Sequence, residues 1–257
     1  TGVRIGEAMT MDDLLAEYDA VFLGTGAGVE ATMNVPGEDL KHVYRSTDFL
    51  VRANLPLEAL PPERRDRPYV GRRVAIIGGG DTAVDCARSS IRLGAEDVRI
   101  VYRRSEAEMP GNPVERGICV EEGVQIDYLA APVEFIGDEE GKVVAMKVVR
   151  MALGEPDKSG RRRPVPIEGS EYTVPVDAVV LAIGYWPDPS LGEKTKNLAT
   201  HKWGLIQVDP ETGATSLPGV FAGGDNTHGP DLVITAIAAA HRAARSMDAY
   251  LRNGNKT

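Results

Sequence analysis

The 257-residue chain is poor in what would tie it to a disulfide scaffold, a membrane or a nucleic acid. Its two cysteines, Cys86 and Cys119, stand far apart and in no ligand spacing. They exclude a disulfide framework and a cysteine-rich metal or iron–sulfur site within these residues, and they suit a reducing, cytoplasmic setting. No apolar run approaches the length of a membrane span, and the opening Thr1-Gly2-Val3-Arg4-Ile5 lacks the apolar core of a signal peptide. An initiator methionine is also missing, which points to a processed chain or a piece cut from a longer one. Basic residues are outnumbered, leaving a net charge of −9. Nonspecific binding to nucleic-acid backbones is therefore not expected. The four histidines (His42, His201, His228 and His241) show no nucleophile–base spacing, so no general acid or base is nominated. There is no internal repeat, and the length suits one or two domains.

What is present reads as alternating strands and helices. Thr10 as N-cap, with Asp13 three residues on, predicts a short helix. Residues 19–23 read as a buried strand ending in Gly24-Thr25-Gly26-Ala27-Gly28. That run is a tight strand exit and not a phosphate-binding turn, because Pro36-Gly37 leaves little room for the helix such a turn requires. Residues 46–53 read as a helix, and the proline-rich stretch 56–68 as a linker or domain crossing. A strand over 124–129 and a hairpin from 132–136 and 143–149 come later. The polar stretch 154–169, with Arg161-Arg162-Arg163, reads as a loop carrying a solvated charge cluster. After a strand over 177–183, residues 185–189 make a second crossing. Strands over 204–209 and 220–222 and an alanine-rich helix over 232–251 complete the chain.

The stretch VAIIGGGDTAVDCARSSIRLGAEDVRIVYRRSEAEMP, residues 74–110, carries the chemistry. A short, continuously apolar run suits a parallel strand covered on both faces. Gly78-x-Gly80-x-x-Ala83 then matches the dinucleotide fingerprint, in a complete strand–helix–strand setting. Gly78 permits the turn, Gly80 lets a pyrophosphate approach the backbone, and Ala83 brings the helix close to the strand. Unpaired N–H groups at the helix start hold the phosphates, Thr82 is placed to donate to one of them, and Asp81 is expected to cap the turn. An NAD site places an acidic residue about twenty positions on. Here Arg103 and Arg104 stand there, which favours the 2′-phosphate of NADP over the alternative of plain surface charge.

With IIGGGDTAVDCARSSIRLGA, VYRRSEAEMPG, SGRRRPVPIEGSEY, DAVVLAIGYWPD and GVFAGGDNTHGPDLVITAIAAA in this order, nearly the whole chain resembles the small (beta) subunit of glutamate synthase. It is equally similar to the NADPH-dependent FAD oxidoreductases related to that subunit. The resemblance implies an α/β flavoprotein with two dinucleotide-binding domains, a Rossmann-like NADP domain over 68–187 inserted into an FAD-type domain of two segments, 1–67 and 188–257. It implies that Gly78, Gly80, Asp81, Thr82 and Ala83 contact the NADP pyrophosphate and that Arg103 and Arg104 hold the 2′-phosphate. Gly184 would lie near the nicotinamide and Gly26 beside FAD. Gly224 and Asp225 would face the ribityl and phosphate portion, and Val233, Ile234, Thr235 and Ala236 the isoalloxazine. Hydride would pass from NADPH to FAD, and electrons onward to a partner.

Three features of that family are missing: the N-terminal iron–sulfur segment, the first FAD-binding strand–turn–helix, and the C-x-x-C of thioredoxin-reductase-like relatives. The FAD site is thus expected to be incomplete. The partner would be a larger redox or amidotransferase subunit, or the N-terminal portion of the same protein. Two alternatives stay open: an NADP-binding fragment without catalysis, and an electron-transfer subunit that mainly binds its partner.

Overall fold

The computed structural model describes residues 2–157, 160–201 and 203–253. The chain divides into two compact units, Thr1–Ala31 with Tyr185–Thr257, and Thr32–Gly184. The first unit opens with α1 (Met11–Glu17), closed by both arms of a capping box. The Asp13 amide donates to the Thr10 hydroxyl at 3.1 Å, and the Thr10 amide donates to the Asp13 carboxylate at 2.8 Å. Strands β1 (Val21–Leu23) and β2 (Val29–Glu30) follow, and no helix starts after the glycine run between them.

The second unit is a three-layer sandwich. It begins with β3 (Val43–Arg45) and α2 (Ser46–Asn54), then the unit read from the fingerprint: β4 (Arg73–Gly78), α3 (Asp81–Arg92) and β5 (Asp97–Tyr102). Helix α4 (Pro113–Glu121) and β6 (Gln125–Tyr128) come next. β7 (Ala130–Gly137) and β8 (Val143–Pro156) form the expected hairpin, followed by β9 (Arg162–Pro166), β10 (Tyr172–Pro175) and β11 (Ala178–Ala182). Five strands lie parallel in the order β3-β11-β4-β5-β6. The alternation along β4 shows how the layers close. Val74 and Ile76 pack with Phe49, Val84 and Ala87 on the helical face. Ala75 and Ile77 pack with Phe135, Met146 and Val148 of the antiparallel strands on the other. Both faces are covered, so the strand reads as an unbroken apolar run.

Three expectations are corrected in this unit. Residues 56–68 do not cross between units; they make single 3₁₀ turns at Leu57–Ala59 and Pro62–Arg64. Arg67 donates to the carbonyls of Arg52, Ala53 and Leu55, holding the stretch against the open carbonyl end of α2. The unit boundary accordingly falls at 31/32 rather than 67/68, because β3 is a strand of the parallel sheet. The polar stretch 154–169 is not a free loop either: β9 pairs antiparallel with the far end of β8, Ala152 facing Val165. Its residues 158 and 159 lie outside the described residues.

At the strand starts, Asp177 accepts the amides of Arg72 and Arg73, each at 2.9 Å, and the Arg73 guanidinium at 2.6 Å. The Arg73 bond holds the Asp177 carboxyl below its ordinary value, with the backbone amides adding to the effect. A depressed folded pKa means stability that is complete above the unfolded value near 4 and fades as pH falls below it. Asp177→Asn is expected to cost about 2 kcal/mol at pH 7. The gap between the two proteins should narrow between pH 4 and pH 2. Chemical denaturation across that range checks this, and a gap that ignores pH refutes it.

The first unit closes with β12 (Tyr185–Trp186), which pairs with β2, then α5 (Ser190–Lys194) and β13 (Val220–Ala222), parallel to β1. α6 (Asp225–His228) and α7 (Val233–Arg252) complete it. The strand expected over 204–209 is absent; there is one bridge, Thr200 to Ile206. The Ile206 amide donates to the Asn226 carbonyl and that of Gln207 to Ala199, so loop groups satisfy this backbone singly. Ala239 and Ala243 of α7 are buried, and a Cβ on Gly223 would stand 3.2 Å from that of Ala239. Small residues on both sides let the helix lie close to the strand end. Among the described residues, no helix is long and apolar enough to cross a membrane, and no group of three acidic, histidine or cysteine side chains is placed to hold a metal.

Candidate functional site

The three glycines after β4 answer to different demands. Gly78 has φ +148°, and a Cβ there would stand 2.1 Å from the Ala182 carbonyl oxygen of β11. A Cβ on Gly79 would stand 2.5 Å from the Tyr102 ring. Gly80 adopts φ −88°, open to any residue, and a Cβ there would meet nothing within 4 Å. The chain's own packing thus explains Gly78 and Gly79 and leaves Gly80 with empty space in front of it. Into that space open the amides of Asp81 and Thr82, which donate to no described residue, at the head of a twelve-residue helix. Ala83 is fully buried and lets α3 sit against β4. This is a cradle for an anion.

Asp81 does not cap its own turn: the N-cap of α3 is Gly80, with no side-chain bond. Its carboxylate instead accepts the Asn112 amide at 2.6 Å. The Gly111 amide donates to the Gly79 carbonyl at 3.0 Å, with room for no Cβ against Gly80 without displacement. Asn112 in turn caps α4 ahead of Pro113. The segment after β5 is therefore pinned across the back of the glycine turn, leaving the first-turn amides of α3 open. Gly79, Tyr102, Gly111 and Asn112 were missed in the sequence reading. Only Gly111-Asn112-Pro113, a turn followed by a helix start, carried a signal, and it said nothing of what the turn would touch.

The two arginines beyond β5 part company. Arg104 is 7% exposed; its guanidinium donates to Asp157 at 2.8 Å and to the Arg162 carbonyl at 2.8 Å. Arg103 is exposed and forms no ion pair among the described residues. Crowding by protein pulls its pKa down, and the charges of Arg104 and Arg161 pull it further. A cation so placed favours an anion beside it. Gly184, at φ +105°, lies just beyond Ala182, whose strand partner is Gly78. Fingerprint, Arg103 and Gly184 thus share the carboxyl edge of the parallel sheet, where open α/β sheets bind ligands.

In the first unit, Gly224 at φ +88° places its missing Cβ 3.6 Å from Ala236 of α7. Asp225 starts α6, and its neighbour Asn226 ties the Leu23 carbonyl and the Thr25 hydroxyl to this corner. The Asn226 carboxamide oxygen is buried without a partner among the described residues. Gly26, at φ +68°, has no atom within 4 Å of its Cβ position. At the head of α7, Leu232, Val233 and Ile234 are 61%, 77% and 65% exposed, while the Thr235 hydroxyl donates to the Leu232 carbonyl. Bare aliphatic side chains at the head of α7, which meets the Gly224 turn at Ala236, together with the open Gly26, fit one side of an aromatic ring with a polyol tail. Among the first unit's described residues, the glycine run after β1 leads into no helix, and the strand–glycine–helix of β13, Gly223-Gly224 and α6 has a helix of only four residues.

An open glycine turn, a free helix head and an unpaired arginine on one sheet edge define a dinucleotide-binding protein of the α/β class. The chain belongs to the pyridine nucleotide-disulphide oxidoreductase family, whose pattern matches residues 5–240. It is 45% identical to the beta subunit of the NADP(+)-dependent formate dehydrogenase of Moorella thermoacetica, over 98% of this chain and 34% of that subunit. It is 44% identical to the NADPH glutamate synthase small chain of Halomonas elongata, over 97% of this chain and 53% of that one. The chain thus spans from about a third to about half the length of these relatives. Its fold matches that of FprA from Mycobacterium tuberculosis in complex with NADPH, with a TM-score of 0.76 at 22% identity, covering 98% of this chain and 68% of that one. Despite the family's name, no dithiol is at hand: Cys86 and Cys119 are both buried and in no disulfide, and burial pushes the Cys119 thiol up to about 11.

Proposed function

We propose that the chain is the NADPH-oxidising part of a flavin oxidoreductase, akin to the glutamate synthase small subunit. The observation that carries this is the empty space before Gly80, bounded by free helix amides and facing the same sheet edge as the unpaired Arg103. The second unit, Thr32–Gly184, would hold NADPH, and the first would offer one side of an FAD. The bound nicotinamide and flavin supply the hydride-transfer chemistry. The chain's residues do the rest. The amides of Asp81 and Thr82 and the Thr82 hydroxyl hold the pyrophosphate, Arg103 selects the 2′-phosphate, and Asp225 accepts from a ribityl hydroxyl. Val233 and Ile234 keep water from the ring, with Ala236 leaving Gly224 room for the tail. Arg104 acts at one remove, by fixing the strand end that carries Arg103.

The remaining flavin contacts would come from further residues of a longer protein or from a larger redox or amidotransferase subunit. The reading places the chain in the cytoplasm, where its two thiols stay reduced. That the described residues of the first unit follow no glycine turn with a helix as long as α3 favours one other reading, an NADP-binding module with no catalysis of its own. Both are tested on the purified chain. It should bind NADPH at least tenfold more tightly than NADH; equal affinities refute the NADP assignment. Mixed with FAD, it should show a flavin absorbance spectrum that NADPH bleaches. A chain that binds NADPH but retains no flavin is the module.

A further inference from the structure

The resemblance and the fingerprint point to the two arginines after β5, but the structure fills in the other side of that corner. The buried Arg104 carries a hairpin. Its guanidinium reaches across 53 residues to Asp157 and, through Nε, to the Arg162 carbonyl. The Asp157 amide donates to the Arg161 carbonyl at 2.8 Å, closing the tip of the β8–β9 ribbon on itself. A second tie lies below: the Leu129 amide donates to the Arg104 carbonyl, and the Met151 amide to that of Leu129. The tip of the ribbon is thus latched to the end of β5, one residue from Arg103.

We infer that this latched hairpin is the outer wall of the adenosine 2′-phosphate site and that Arg161 supplies its second cation, opposite Arg103. The inference rests on the NADP reading above and deepens it. A lone guanidinium binds a dianionic phosphate at two of its oxygens at best, and a second cation on another element reaches the rest. The latch explains why one arginine of an adjacent pair is buried. Arg104 neutralises Asp157, which would otherwise set a carboxylate beside the phosphate, and the same bond brings the arginine-rich tip within range of it. Arg103 already feels the Arg161 charge, so the two cations share one neighbourhood before any ligand enters. The cluster Arg161-Arg162-Arg163 is therefore not solvated charge throughout. Arg162 gives its carbonyl to the latch and its side chain to the carbonyls of Leu153 and Gly154, while Arg161 joins the latch through its carbonyl, which accepts the Asp157 amide.

The test uses the full chain, with calorimetric titration of 2′,5′-ADP and 5′-AMP against the unmutated protein, Arg161→Ala, Arg161→Lys and Arg103→Ala. Arg161→Ala should weaken 2′,5′-ADP about tenfold, the loss of one charge-assisted contact, and leave 5′-AMP unchanged. Arg161→Lys should restore most of the loss. If Arg161→Ala binds 2′,5′-ADP like the unmutated chain while Arg103→Ala does not, the inference is overturned and the NADP reading stands. An equal loss for both nucleotides also overturns it, since the hairpin would then only support the fold. If the unmutated chain shows no preference for 2′,5′-ADP, the NADP reading itself fails and takes the inference with it.

Discussion

Replacing Gly80 by threonine should weaken NADPH binding about a hundredfold while leaving the chain's stability nearly untouched. The backbone there has φ −88° and ψ 179°, within the extended region that any residue adopts, so no strain attends a side chain. No atom of the chain lies within 4 Å of the new Cβ, and threonine suits an N-cap about as well as glycine does. What the side chain would fill is the space between the phosphates and the head of α3. Titration with NADPH beside a melting curve checks both halves. A variant that binds within threefold of the unmutated chain would refute the placement of the pyrophosphate, and one that melts much earlier would show Gly80 to be structural.

Two residues earlier the same kind of change should have the opposite result. Gly78→Ala is expected to cost more than about 4 kcal/mol, at the far end of single substitutions, and to lower the melting temperature by roughly 10 °C. The positive φ by itself strains an L-residue by about 1–3 kcal/mol. The larger part is the new methyl, 2.1 Å from the Ala182 carbonyl oxygen and 2.9 Å from its carbon. These atoms belong to β11, the central neighbour of β4, and have no rotamer by which to retreat. The two strands would have to part at their carboxyl ends. Chemical denaturation followed by far-ultraviolet circular dichroism measures the loss; a shift under 1 kcal/mol would mean that the strand ends yield easily. Together the two variants separate the fingerprint's structural glycine from its functional one, the division of roles that the pattern implies.

Elements whose signal is local were legible in the sequence. β4, α3 and β5 announce themselves by apolar run, periodicity and turn, and the capping box at Thr10 is complete within four residues. The hairpin of β7 and β8 and the long helix α7 were legible for the same reason, although β8 runs on to Pro156, seven residues beyond its expected end. What failed depended on partners far along the chain. Residues 204–209 have a strand-like composition but no neighbouring strand to complete a ladder. Residues 162–166, arginine-rich and mostly exposed, have no apolar face and become a strand only because β8 extends to meet them. The site divides in the same way. Its glycines and Arg103 stand in one local motif, whereas the burial of Arg104 needs Asp157, and the true partner of Asp81 is a backbone amide 31 residues away.

The pairing of β1 with β13 also sets an order of events during synthesis. The second unit is one unbroken stretch, complete once Gly184 has emerged from the ribosome. β1 must wait for Val220, its register partner about 200 residues beyond Val21. At roughly 5–20 residues per second, that is a delay of about 10–40 s in which the first segment has neither its strand partner nor the apolar cover of Leu191, Ile206 and Val220. The stretch that carries the fingerprint can thus finish first, while the segment ahead of it in sequence stays unpaired until Val220 has been made.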